Sequence, residues 1–348
     1  MKPGHLPHML RAQGRFCAEL GSPMYGELLE LVARDVESGG VFATVLAGHE
    51  NDRSRDAVPL RLLGALHRLV LDGRAPALRR WYPSTGGVWG AEAAWPEIVR
   101  AAAGHVAALR AGLQRPPQTN EVGRSAALIG GLLCLDHELG WPIRLFEIGT
   151  SAGLNLRADR YRYRFAGRQW GPPDAPVTID DAWRGRLPPE GALDVVERHG
   201  YDIAPIDVGG TDGETTLLSY VWPDQGARLD RLRGAIAVAR EVPARLERRT
   251  AADAVAGLTP ADGALTVLWH SIVWQYLGDD ERRAVREGVS ALAGRAGDRS
   301  PFAHLTMEPA RDWSGSGFRF LVRARRWPGG RLAVLGQCPP HGVPVTWH

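Results

Sequence analysis

Lysine is almost missing from this 348-residue chain: Lys2 is the only one, and every other strong base is arginine. With so many alanines, this reads as a codon bias toward G and C, so the arginines are not by themselves a phosphate-binding signal. Cysteine is scarce as well. Cys17, Cys134 and Cys338 lie far apart, with no C-x-x-C pair and no histidine cluster at metal spacing. Three isolated thiols argue for a reducing compartment and against a zinc site, so no metal is expected. Long apolar runs are lacking: nothing approaches the ~18 residues a membrane span requires. The opening "MKPGHLPHMLRAQGRF" has no apolar signal core. The expectation is a cytoplasmic protein without a membrane partner. Excess charge of one sign is lacking too, because a formal net charge of +3 is too small to imply nucleic acid.

What remains is an ordinary globular composition, 44% hydrophobic and 23% charged, enough to bury a sizeable core. At roughly 150 residues per domain, the length predicts about two domains.

The first 140 residues read as helical. Met24–Val36 and Val58–Leu71 place apolar residues at three- and four-residue spacing, giving one buried face each. "GRAPALRRWYPSTGG" breaks that pattern with prolines and paired glycines and is expected to be a loop. Helical character returns over "EIVRAAAGHVAALRAGL" and over "EVGRSAALIGGLLCLDHEL", the second capped by Thr119 or Asn120.

From Trp141 the period changes. "IRLFEI" is a short apolar run ending in a glycine turn, as in a buried parallel strand, and a helix is expected from about Ala152. "RYRYRF" alternates charge and aromatic like a half-exposed strand, and opens an insertion over about 157–193. One such ribbon on a near-neutral chain does not make a nucleic-acid interface. Second, third and fourth strands are read in "DVVERHGYDIAPI", "ARLERRTAADAV" and "ALTVLWHSIV". The segments "DQGARLDRLRGAIAVAR" and "DDERRAVREGVSALA" supply helices, with Asp224 as a cap and Arg228 and Arg231 on a solvated face. "FAHLTMEP" is a fifth strand, followed by a hairpin around Trp-Pro-Gly-Gly. Strands alternating with helices imply a mostly parallel sheet, because parallel neighbours need crossovers. The predicted fold is α/β: a helical domain over 1–140, then a sheet domain over 141–348 with a C-terminal antiparallel hairpin.

The stretch "LFEIGTSAGLNL" carries the functional question. Glu147 ends a strand two residues before Gly149, where open α/β sheets bind ligands. Gly149 and Gly153 would let backbone approach a ligand, and the following helix start would offer free N–H groups. Asp202 ends the second strand and Asp253 is placed at the end of the third. Acids closing three successive strands would line one crevice.

"LFEIGTSAG", "GYDIAP", "AADA" and "LTVLWHS" resemble the class I S-adenosylmethionine-dependent methyltransferase core, with its Rossmann-like sheet, over about Ile143 to Cys338. Across the whole chain, "TNEVGR", "GTSAGLNL", "DRYRYRF" and "WPDQ" also look like a bacterial family of unknown function. The first resemblance implies S-adenosylmethionine as cofactor and a small-molecule acceptor. Glu147, Gly149, Ser151 and Gly153 would face its methionine end, Asp202 its ribose hydroxyls and Asp253 its adenine amino group. Arg124 would pair with its carboxylate. His270, after the fourth strand, would be the general base. Glu121, Ser271, Trp274, Tyr276 and Glu308 would contact the acceptor, with the aromatic faces also suited to a sulfonium. The helical region and the insertion would wall off the acceptor pocket.

Each of these residues also has a purely structural reading. Glu121 and Arg124 fit a capped helix start, Glu308 a turn, His270 a backbone-bonded strand end, and the aromatics a core. Two other functions stay open. "GTSAG" is G-x-S-x-G, the elbow of serine hydrolases, with Ser151 as nucleophile and His270, His304 or His341 as base. A non-catalytic protein that binds the cofactor or another nucleotide is the third reading.

Overall fold

The computed structural model describes residues 5–53, 56–137, 140–311 and 318–348, and the chain divides into two compact units. One comprises residues 1–119 and 210–230, the other residues 120–209 and 231–348.

The first unit is helical. Its elements are α1 (His5–Glu19), α2 (Pro23–Glu37), α3 (Val41–Val45), α4 (Val58–Leu71), α5 (Ala91–Gly104) and α6 (Val106–Leu113). To these it adds α8 (Thr211–Ser219) from far along the chain. The apolar stripes of α2 and α4 are buried as their spacing predicts, with Leu28, Leu29, Val32, Leu62 and Leu66 in one core. Helices α1 and α8 were not anticipated: α1 packs close to α2, where Gly14 faces the Gly26 carbonyl, a short-side-chain contact that leaves little periodic signal. The single helix expected over "EIVRAAAGHVAALRAGL" is broken at His105. Asp224 does not cap its own downstream helix. Its carboxylate accepts from Ser22 Oγ at 2.6 Å and from the Met24 amide at 3.1 Å, reinforcing the start of α2. Arg228 is buried and lies over the Trp222 ring rather than on a solvated face.

The second unit is α/β. Its main sheet contains β1 (Ile143–Ile148), β5 (Trp183–Gly185), β6 (Val195–Asp202), β7 (Arg245–Arg248), β8 (Leu265–Ser271) and β9 (Phe302–Arg311). It is completed by β10 (Phe318–Trp327), β11 (Leu332–Cys338) and β12 (Val345–Trp347). The order is β5-β12-β11-β10-β9-β8-β1-β6-β7. The five strands β7-β6-β1-β8-β9 are parallel throughout, and β9, β10, β11 and β12 run as an antiparallel meander. The sheet is therefore mixed but mostly parallel. The strand β12, at the chain's end, joins β5 from the insertion in parallel. The rest of the insertion forms a small sheet of β2 (Arg162–Phe165), β3 (Arg168–Trp170) and β4 (Thr178–Ile179), with "RYRF" as its central strand.

Helices cover both faces. The helices α10 (Ala251–Ala256) and α11 (Asp279–Arg295) bury Phe146, Ile148, Leu268 and Phe302 with Val285 and Leu292. On the other face lies α7 (Ser125–Asp136), apolar all round and buried along nearly its whole length. Its Gly130 and Gly131 explain the "IGG" inside a helical pattern: a Cβ there would strike Trp347 or Leu305, so only glycine admits that packing. Helix α9 (Gly226–Glu241) covers the expected "DQGARLDRLRGAIAVAR" segment.

Candidate functional site

The order β7-β6-β1-β8-β9 turns back at β1: the chain leaves β1 toward β6 and β7, then returns to the other side for β8 and β9. Ligands of open parallel sheets bind at that reversal, outside the carboxyl ends of the strands. Here those ends carry Glu147 and Ile148 on β1, Asp202 on β6, and His270 and Ser271 on β8.

Glu147 is 3% exposed and accepts a 2.7 Å hydrogen bond from Thr150 Oγ1. Burial raises its pKa to about 8, the Thr150 bond opposing and Asp202 adding to the rise, so the acid is mostly neutral at pH 7. Asp202 closes the glycine loop onto β6. Its Oδ2 accepts from the Ser151 amide and its Oδ1 from the Ala204 amide, both at 2.9 Å. Ser151 itself has φ of +53°, a conformation L-residues rarely adopt, between Gly149 at +69° and Gly153 at +66°.

The loop differs from expectation in one respect that matters. No α-helix begins at Ala152; a 3-10 turn, Leu154–Arg160, follows Gly153 instead. Its amides are not free either. Gly149 and Thr150 donate to Tyr201 O, Ser151 to Asp202, Gly153 to Thr150 O and Leu154 to Asn120 Oδ1. The left-handed turns at Ser151 and Gly153 fold the loop back on itself, which stops helix growth and consumes the donors. Asn120 thus ties the loop rather than capping α7. Glu121 makes the local cap, accepting from the Gly123 amide at 3.1 Å, and lies 3.4 Å from His341.

Arg124 reaches the same strand ends. It donates to Pro340 O at 3.1 Å and to Ser271 O at 3.4 Å, and its charge is felt at Glu147. Asp253 does not end a strand. The strand β7 stops at Arg248, and Asp253 is exposed in the first turn of α10, where Thr250 caps its amide and donates to its carboxylate. The motif "T-A-A-D" is a helix start, so the third strand does not run on to Asp253.

His270 is 2% exposed with both ring nitrogens engaged: Nδ1 with Glu308 Oε1 at 2.7 Å and Nε2 with His304 Nε2 at 3.1 Å. Burial first, then the charges of His270 and Arg325, lower the His304 pKa to about 3. Glu308 Oε1 also accepts from the Val273 and Trp274 amides. The Trp274 ring stacks on His270, with the Arg286 guanidinium 5.1 Å from its centroid. Tyr276 is 56% exposed. Of the residues singled out from sequence, Glu147, Gly149, Ser151, Gly153, Asp202, Arg124, Glu121 and Ser271 come together around the loop. His270, Glu308 and Trp274 form an adjoining cluster. Thr150 and Asn120 were missed as loop ties, since short polar residues beside glycines carry no sequence signal for a tertiary bond.

The fold and site define an α/β protein whose mostly parallel sheet bears an acid-flanked glycine loop at its strand reversal. The chain belongs to the family described as "Uncharacterized protein conserved in bacteria (DUF2332)", whose model matches residues 7–347. No curated protein and no solved structure matches it. Among the described residues, no helix is long and apolar enough to cross a membrane, and no group of three or more His, Cys, Asp or Glu is placed to hold a metal ion.

Proposed function

We propose that the sheet unit is a Rossmann-like core that binds S-adenosylmethionine and transfers its methyl group to a small-molecule acceptor. The observation that carries this reading is the pair Glu147 and Asp202, at the carboxyl ends of neighbouring parallel strands, on either side of Gly149–Gly153. The residues fit the cofactor's polar groups. Each Asp202 oxygen accepts one amide and keeps a lone pair for a ribose hydroxyl. Glu147, bonded by Thr150 and beside Trp269, stands at the strand end where the methionine end would lie. Arg124 is the neighbouring cation for the carboxylate. Asp253, committed to a helix start, has no part in this site. The cofactor supplies an activated methyl group; the chain aligns acceptor and donor, which by itself contributes much of the rate. With both nitrogens engaged, His270 acts by positioning the segment after β8 and not as a free base.

The serine hydrolase reading has less support. Ser151 is followed by a 3-10 turn, while His270 and His304 bond one another and His341 lies beside Glu121. Calorimetric titration with S-adenosylmethionine and S-adenosylhomocysteine decides between them. The expected result is micromolar binding that is lost in Asp202→Ala and kept in Ser151→Ala. No binding of either ligand to folded protein would overturn the proposal, and Ser151 would then be tested with an activated ester. Binding without turnover on any acceptor would leave a cofactor-binding protein instead of an enzyme.

A further inference from the structure

The glycine loop is covered. A side chain at Gly149 would meet Val273 Cγ2 at 2.3 Å, so Val273 rests directly on the loop's first glycine. Val273 belongs to the segment that leaves β8 through Ile272, whose φ is +52°. Branching at Cβ makes this a true outlier, and such a conformation persists only where surrounding contacts over-determine it.

Those contacts are identifiable. The Ile272 amide donates to Met307 O at 3.0 Å. The Val273 and Trp274 amides donate to Glu308 Oε1 at 3.0 and 3.3 Å, and His270 Nδ1 shares that oxygen. The second Glu308 oxygen is buried and, among the described residues, has no partner, so the carboxylate holds the segment through one atom. The Trp274 ring stacks on His270 and also meets the Arg286 guanidinium. Glu308 Oε1 thus acts with the Met307 carbonyl, and with Arg282 on the Trp274 and Gln275 carbonyls, to hold a strained segment shut over the loop that the ligand must reach.

We propose that Ile272–Tyr276 is a latched lid, closed over Gly149 here, held by Glu308 and His270, and sprung at Ile272 so that it opens to admit the ligand. The proposal rests on the preceding reading for the ligand's identity; the latch and the spring are properties of the chain alone. Opening frees the Val273 and Trp274 amides to water and returns Ile272 to ordinary backbone geometry. The covalent structure of Glu308 and His270 is unchanged by it.

Hydrogen exchange on the full-length chain tests this, comparing the Val273 and Trp274 amides with those of Leu145–Ile148 on β1. In the native protein the lid amides should exchange at least about tenfold faster than β1. Ile272→Gly, which removes the strain, should slow the lid amides about fivefold or more and leave β1 unchanged. Glu308→Gln should speed them about tenfold, again without effect on β1. Equal protection of lid and β1 in the native protein would overturn the proposal. So would variants that shift both regions together, since Glu308 would then be an ordinary core residue. If Glu308→Gln does not fold, the Ile272→Gly comparison decides alone. Lid amides that respond in a protein failing to bind S-adenosylmethionine would sink the ligand assignment and keep the lid.

Discussion

The Ser151 amide donates to Asp202 Oδ2 at 2.9 Å, and this bond holds a residue with φ of +53° at the mouth of the site. The left-handed region costs an L-residue roughly 1–2 kcal/mol relative to glycine. Ser151→Gly is therefore expected to raise stability by about 0.5–1 kcal/mol. Asp202→Ala leaves two amides without their acceptor and is expected to cost about 1–3 kcal/mol. Because the two residues touch, the double variant should not be additive: glycine should recover part of the loss. Urea unfolding midpoints check all three. A destabilising Ser151→Gly would show that the serine side chain, not the backbone, holds the loop.

Glu147 makes stability depend on pH in a direction unusual for a carboxylate. Its folded pKa of about 8 lies above the ordinary 4.5, so the folded state holds a proton that the unfolded state has released. Stability from this group is full below the ordinary value and is lost as pH rises through about 8. Glu147→Gln keeps the shape without the charge. Relative to native protein, it should gain roughly 1–3 kcal/mol between about pH 5 and pH 8.5. Chemical denaturation at the two pH values measures the difference. A variant that tracks the native protein at both would mean that Glu147 is ionised in the fold.

The cap at Thr250 separates structure from function. Thr250→Ala should cost about 1 kcal/mol, as loss of a helix N-cap does, and Asp253→Ala a few tenths. Neither should alter affinity for S-adenosylmethionine in calorimetry. A loss of binding in Asp253→Ala alone would restore this acid to the site despite its place on α10.

Where the sequence was readable, one physical signal dominated. Helices α2 and α4 and strands β1 and β8 have clean periodicity or unbroken apolar runs, and their bounds fall within a few residues of expectation. Glu147 and Asp202 were legible because a carboxylate at the end of such a run has nowhere apolar to go. Three kinds of feature were hidden. The turn after Gly153 depends on Ser151 adopting a left-handed backbone, held by the distant Asp202 and Ile206 through bonds to its amide and carbonyl. Asp253 was misplaced because β7 is short, ending at Arg248, and a helix start capped by Thr250 follows after one residue. The pairing of His270 with His304 arises from neighbouring strands β8 and β9, whose register no local pattern encodes.

The helical unit has its own late requirement. Trp222 belongs to its core, and Asp224 holds the start of α2 through Ser22 and Met24. During synthesis, the first 119 residues emerge long before the twenty-one that complete this unit, residues 210–230. Until then the growing helices expose an unfinished apolar surface, at the stage when nascent chains aggregate most readily. A fragment cut at residue 140 would carry that defect permanently, so the two units should be separated by removing contiguous sheet segments and never by severing the chain at its apparent helical boundary.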